Sequence, residues 1–156
     1  MKTLTRFRLF LWRFGILNVP LIGYLNPSLL LLTDKEIVIK LKLNRRSKNH
    51  LNSMYFGALA VGADLASGLH GFYHAKAANL KISLAFKSFK AEFLKRPESD
   101  VYFVSTMGEK VKEMMISSQE TGKRINKPIE VIAYTNYPEN KEIVATFILE
   151  LSLKVL

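Results

Sequence analysis

Apolar and polar residues alternate over much of the chain. Ile37, Ile39, Leu41 and Leu43 alternate with Val38, Lys40, Lys42 and Asn44, the period-2 pattern of a strand with one wet face. Leu29 to Leu32 read as its antecedent, with Thr33-Asp34-Lys35 as the turn. Alternation resumes at Leu80, Ile82, Leu84 and Phe86, then changes phase to Phe89, Ala91 and Phe93. That slip predicts a β-bulge or sharp coil near Lys87-Ser88 within one long strand. Beyond a turn at 95–99, strands are expected over 101–106, 129–135 and 143–155. The last carries Ile143, Ala145, Phe147, Leu149, Leu151, Leu153 and Val155 on one face. Val111, Met114, Met115 and Ser118 have helical spacing instead, and Gly122 is the expected residue just past that helix.

Two stretches depart from this strand pattern. From Leu4 to Leu17, Arg6, Arg8 and Arg13 alternate with Phe7, Phe10, Leu11, Trp12 and Phe14, which predicts a basic amphipathic helix. From Leu51 to Leu69 the only charge is Asp64, and Gly57, Ala58, Ala60, Gly62, Ala63, Ala66, Ser67 and Gly68 make the side chains unusually small. Three glycines cost a helix about 1 kcal/mol each relative to Ala. The cost makes sense where a sheet wraps closely around the helix. Asn52 and Ser53 are expected as its N-cap. Helices followed by consecutive antiparallel strands make an α+β pattern.

Length and charge then narrow the picture. The chain has 156 residues, enough for one domain with its own core, divided here into a basic and apolar helical segment at 1–26 and a domain at 27–156. The uncharged stretch 15–33 is interrupted by Asn18, Pro20, Gly23, Asn26 and Pro27, which argues against a membrane span of about 20 apolar residues. The N-terminal helix is therefore expected to dock on its own domain or oligomer, with peripheral membrane contact as the alternative. No small-x-small cleavage site follows it where a secretory signal needs one. There is no cysteine, which excludes disulfides, thiolate zinc sites and cysteine nucleophiles; a cytoplasmic location is the default expectation. Of the net charge of +10, residues 1–50 hold ten basic groups against Asp34 and Glu36. Such an end attracts nucleic acid, anionic lipid or a phosphorylated ligand. Nucleic acid is not expected as a partner, because no aromatic-interleaved basic strand or recognition helix is visible.

The run from Asn49 to Ala66 resembles the signature of hot-dog-fold thioesterases, closest to the phenylacetate-pathway acyl-CoA thioesterases and a related uncharacterised branch. Those proteins carry an Asn in the loop before the helix, His-Gly-Gly at its start, and an acid seven positions after the second Gly. Asn49, Gly57 and Asp64 fall on these positions, while Tyr55 and Phe56 stand where the family often has His and Gly. The basic run Arg45-Arg46-Ser47-Lys48-Asn49-His50 is similar to the loop of the uncharacterised branch. The resemblance implies an antiparallel sheet wrapped around a central helix, and a homodimer or tetramer with two clefts at the dimer interface. There, the helix N-terminus of one subunit faces the carboxylate of the other.

A thioester carbonyl gathers negative charge on oxygen when attacked, so it needs preorganised donors. The backbone N–H groups of Tyr55, Phe56 and Gly57 at a helix start supply them. Asp64 is the candidate base or nucleophile, with Asn49 and His50 able to polarise the carbonyl or hold the water. Arg45, Arg46 and Lys48 are candidates for the phosphates of coenzyme A. The expected substrate is an acyl-CoA or acyl-carrier thioester; the alternative is a non-catalytic hot-dog module that binds acyl chains or lipid. His70 and His74 have the helical spacing of a metal pair, but no third ligand is visible, and neither metal nor cofactor is expected.

Overall fold

A computed structural model describes residues 2–156. Two helices, α1 (Lys2–Leu17) and α2 (Pro20–Leu25), precede a hairpin of β1 (Ser28–Leu32) and β2 (Ile37–Leu41). The long helix α3 (Phe56–Ala77) follows, then β3 (Ile82–Phe93), β4 (Val101–Ser105), α4 (Gly108–Thr121), β5 (Ile125–Thr135) and β6 (Glu142–Val155). The six strands form one antiparallel sheet in the order β1-β2-β4-β5-β6-β3. The strand that follows α3 in sequence is thus carried to the far edge of the sheet.

Helix α3 lies against five of the six strands, β2 through β3, and small side chains let it come close. A Cβ added to Gly62 would stand 2.3 Å from the Phe103 ring of β4, inside van der Waals contact. Ala58, Ala63, Ala66 and Ala75 are buried along the same helix. Around them Ile37, Ile39, Leu41, Phe103, Phe147 and Leu149 form the main core. A second cluster sits under α4, where Val111, Met114 and Met115 pack on Ile129, Leu151 and Leu153.

Register explains the phase slip in β3. Phe86 pairs with Leu151 and Ser88 with Glu150, so Lys87 is the extra residue of a bulge. Ile82, Leu84 and Phe86 before it, and Phe89, Ala91 and Phe93 after it, stay on one face. A second shift, at Ala133/Tyr134 opposite Ile143, changes the start of β6: Val144 and Ala145 are both buried and Ile143 turns outward. Strand β5 begins four residues earlier than the alternation suggests. It contains Pro128, tolerated because β4 pairs only with 132–134 and leaves that flank of β5 open.

Helix α3 also begins later and runs further than expected. Asn52 sits in a left-handed turn (φ 57°), and the N-cap is Tyr55, with no side-chain cap. At the other end the helix continues through His70 and His74, whose burial favours the neutral rings. Their Nε2–H groups donate to the carbonyls of Thr33 (3.0 Å) and Gly108 (2.9 Å). They tie the β1–β2 turn and the start of α4 to the central helix. Phe7, Phe10 and Phe14 of α1 pack on Phe72 and Tyr73 of α3, so the N-terminal helix docks on the chain's own body. Among the described residues no helix is long and apolar enough to cross a membrane.

Because Gly62 faces an aromatic ring with no room to spare, Gly62→Ala is expected to destabilise the fold by about 1–3 kcal/mol despite its better helix propensity. Thermal unfolding measures this; an unchanged or raised midpoint would show that α3 does not sit this close to Phe103.

Candidate functional site

The loop before α3 is built to present a bare helix start. Asn49 Oδ1 accepts from the N–H groups of Leu51 (2.9 Å) and Ser53 (3.2 Å) and from Ser53 Oγ (3.1 Å). Asn49 N–H in turn donates to the Ser53 carbonyl, and Lys48 bridges to Met54. The Tyr55 N–H donates to the Ser47 carbonyl at 2.8 Å, so it is withdrawn from the set of donors expected at this helix start. Phe56 and Gly57 N–H have no acceptor among the described residues. Two adjacent amides and the positive end of a 22-residue helix therefore point outward together.

Beside these amides lies a cavity of about 510 Å³. Asn49, His50, Tyr55 and Phe56 line it, as do Phe93, Leu94, Lys95 and Arg96. The carbonyl oxygen of Asn49 is fully used by its own loop, which leaves the amide Nδ2 as its free donor. The Tyr55 ring folds over the first turn, 2.5 Å from where a Cβ on Gly57 would stand, and Phe56 packs between Tyr55 and Phe93.

The basic loop is arranged differently from the sequence expectation. Arg46 turns toward α2, donating to the Tyr24 carbonyl and lying over the Tyr24 ring, while Lys48 Nζ bonds Asn52 Oδ1. Neither they nor Arg45 line the cavity. Its basic residues are Lys95, paired with Glu142, and Arg96, 3.4 Å from Glu98. The turn sequence Lys95-Arg96-Pro97 was legible, but nothing local said that it faces α3 some forty residues upstream.

Asp64 lines a second cavity, of about 230 Å³, between α1, α2, α3 and β3. Phe10, Phe14, Phe72, Leu84 and Phe86 are among its walls, and among the described residues it holds no other charged side chain. The carboxyl has no hydrogen-bond or ion-pair partner among the described residues, and burial pushes its pKa up to about 6. Asp64 and Gly57 are seven residues apart, hence on one face of the helix but about 10 Å apart along it. The carboxyl and the helix start line separate cavities of the chain.

The architecture recurs in solved structures. A protein of unknown function from Chlorobaculum tepidum superposes with a TM-score of 0.83 at 10% identity, over 99% of each chain. A thioesterase from Haemophilus influenzae gives 0.65 at 14% identity, over 98% of this chain and 91% of its own. Zebrafish thioesterase superfamily member 2 gives 0.63 at 11%, over 98% and 97%. The chain has the hot-dog fold. No protein-family model matches it, and comparison with curated proteins gives no match. The likeness to the hot-dog thioesterases extends over nearly the whole chain and is one of fold, with α3 as the enclosed helix.

A raised carboxyl pKa has a measurable cost. An acid whose folded pKa lies above its ordinary value of 3.8 destabilises the fold wherever it is ionised, fully above about 6 and not at all below 3.8. Asp64→Asn is accordingly expected to stabilise the protein by up to about 3 kcal/mol near pH 8 and by about 0.5 kcal/mol near pH 4. Denaturant unfolding at the two pH values tests this; a gain of the same size at both would mean the carboxyl is not held in an apolar site.

Proposed function

We propose that the protein hydrolyses the thioester of an acyl-CoA or acyl carrier at clefts between the two subunits of a homodimer. The observation that carries this reading is Asp64, a carboxyl without a partner in an apolar cavity, with a pKa of about 6. Such a group is ionised at neutral pH yet basic enough to take a proton from water. Its complement is the pair of open amides at Phe56 and Gly57, suited to an oxyanion.

The exposed edge strand gives the two half-sites a way to meet. The Asp64 cavity touches β3 at Leu84–Phe86, and the helix-start cavity touches its end at Phe93 and Leu94. Antiparallel pairing with a second β3 about a two-fold axis near Phe89 sets Phe93 of the partner subunit opposite Ala85. Each Asp64 then faces the helix start of the other chain, and the unpaired edge is satisfied.

In that cleft the Asp64 carboxylate takes a proton from water as the water oxygen bonds to the thioester carbon. The carbonyl electrons move to oxygen, held by the two amides. Collapse of the tetrahedral species breaks the C–S bond, and the proton on Asp64 passes to the leaving sulfur. Direct attack by Asp64, followed by hydrolysis of the anhydride, balances equally well. In this reading Asn49 Nδ2 and His50 hold the carbonyl or the water, and Lys95 and Arg96 meet the carrier's phosphates, a role supported by their place in the lining of the same cavity.

The Tyr55 ring over Gly57 supports a second reading, a hot-dog module that holds an acyl chain without cleaving it, since the ring crowds the approach to the amides. Thiol release from acyl-CoAs of short, medium and long chain separates the two. Hydrolysis is expected, with kcat/KM lowered about 10²–10⁴-fold in Asp64→Asn. Stoichiometric acyl-CoA binding with no thiol released at any chain length would establish the second reading instead.

A further inference from the structure

The outer face of the N-terminal helices is apolar, basic and uncovered. The inner face of α1 is spent on the core through Phe7 and Leu11. The outer face carries Leu9, Trp12 (58% exposed), Ile16 and Leu17 (69%), and α2 adds Leu21 and Tyr24. Gly15 and Gly23 meet backbone to backbone, which seats α2 tightly beside α1. Trp12 shares one hollow with Leu30 and another with Ile16 and Gly23, while Leu9 and Leu17 share a third with Arg6, Arg13 and Lys76.

Charge on this face has a single sign. Residues 1–33 contain no Asp or Glu. Among the described residues Arg6, Arg8, Arg13, Arg46 and Lys76 form no ion pair. Arg6, Arg13 and Lys76 ring a hollow of about 450 Å³ floored by Phe10 and Phe14. Bulky aliphatic side chains, one Trp and one Tyr, edged by unpaired Arg and Lys, match the boundary between lipid headgroups and acyl chains. An isolated apolar patch would fit many partners; the one-signed cationic rim selects a negatively charged surface.

We propose that α1 and α2 form a docking surface for an anionic lipid bilayer, with Leu9, Trp12, Ile16, Leu17, Leu21 and Tyr24 entering the interface and Arg6 and Arg13 taking lipid phosphates. Helix α1 lies along the membrane plane. Its Phe10 and Phe14 also line the Asp64 cavity, so α1 is the wall between the bilayer and the candidate site.

Trp12 is the only tryptophan in the sequence, so its emission reports this face alone. The full-length protein is titrated with vesicles of phosphatidylcholine alone and of phosphatidylcholine mixed with phosphatidylserine. With the mixed vesicles, Trp12 emission is expected to shift to the blue and to lose its quenching by aqueous iodide, and high salt is expected to reverse both. Arg6→Glu with Arg13→Glu is expected to weaken vesicle binding more than 10-fold with an unchanged melting temperature, because both side chains are exposed. Leu9→Ser with Ile16→Ser is expected to abolish the shift. Equal binding to neutral vesicles would overturn the proposal. So would a blue shift that grows with protein concentration without lipid, which would assign the face to a second copy of the chain.

Discussion

The closeness of α3 to the sheet governs the rest of the structure. Gly62 rests on the Phe103 ring, and buried alanines run along the helix on both sides of it. Five strands pack on this helix, and Phe10 and Phe14 of α1 line the cavity beside its middle turns. Asp64 lies in those turns, and burial without a partner lifts its pKa. Small side chains chosen for packing thus also set the electrostatics of the one carboxyl on the helix.

The same enclosure leaves the helix start open. Tyr55 offers no side-chain cap, and its own amide is tied to Ser47, so the next two amides are left without acceptors, and Phe56 lines the cavity beside Phe93. Folding the loop through Asn49 and Ser53 costs nothing at these two donors, since the loop satisfies itself. One helix therefore carries an electron-rich group in its middle and electron-poor groups at its start, held apart by its own rigidity. Strand β3, exposed along the sheet edge, spans the same separation.

Much of this was legible in residue patterns. Period-2 alternation located β2, β3, β4 and β6, and the phase change at Lys87 gave the bulge, because pleating forces side chains to alternate about any bulge. The lone charge between Leu51 and Leu69 singled out Asp64, since a carboxyl among Gly and Ala has no local partner. Long-range placement was not legible. Arg46 belongs to the same loop before α3 as Asn49, yet it turns away to the Tyr24 ring. Lys95 and Arg96 reach the helix start only because β3 runs back along α3 to bring them there. The late start of α3 was hidden because Asn52 and Ser53 have good capping chemistry but serve the turn around Asn49.

The central claim is that one working site needs Asp64 from one subunit and the helix start from another. The most direct test is activity in mixed dimers of Asp64→Asn and Gly57→Val chains, co-expressed in equal amounts, each homodimer being inactive alone. Each mixed dimer has one site with both defects and one with neither, and random pairing makes half of all dimers mixed. Thiol release should then recover to about a quarter of the wild-type level. A mixed population as inactive as its parents would contradict a shared site and place both groups, or neither, in the chemistry of a single chain.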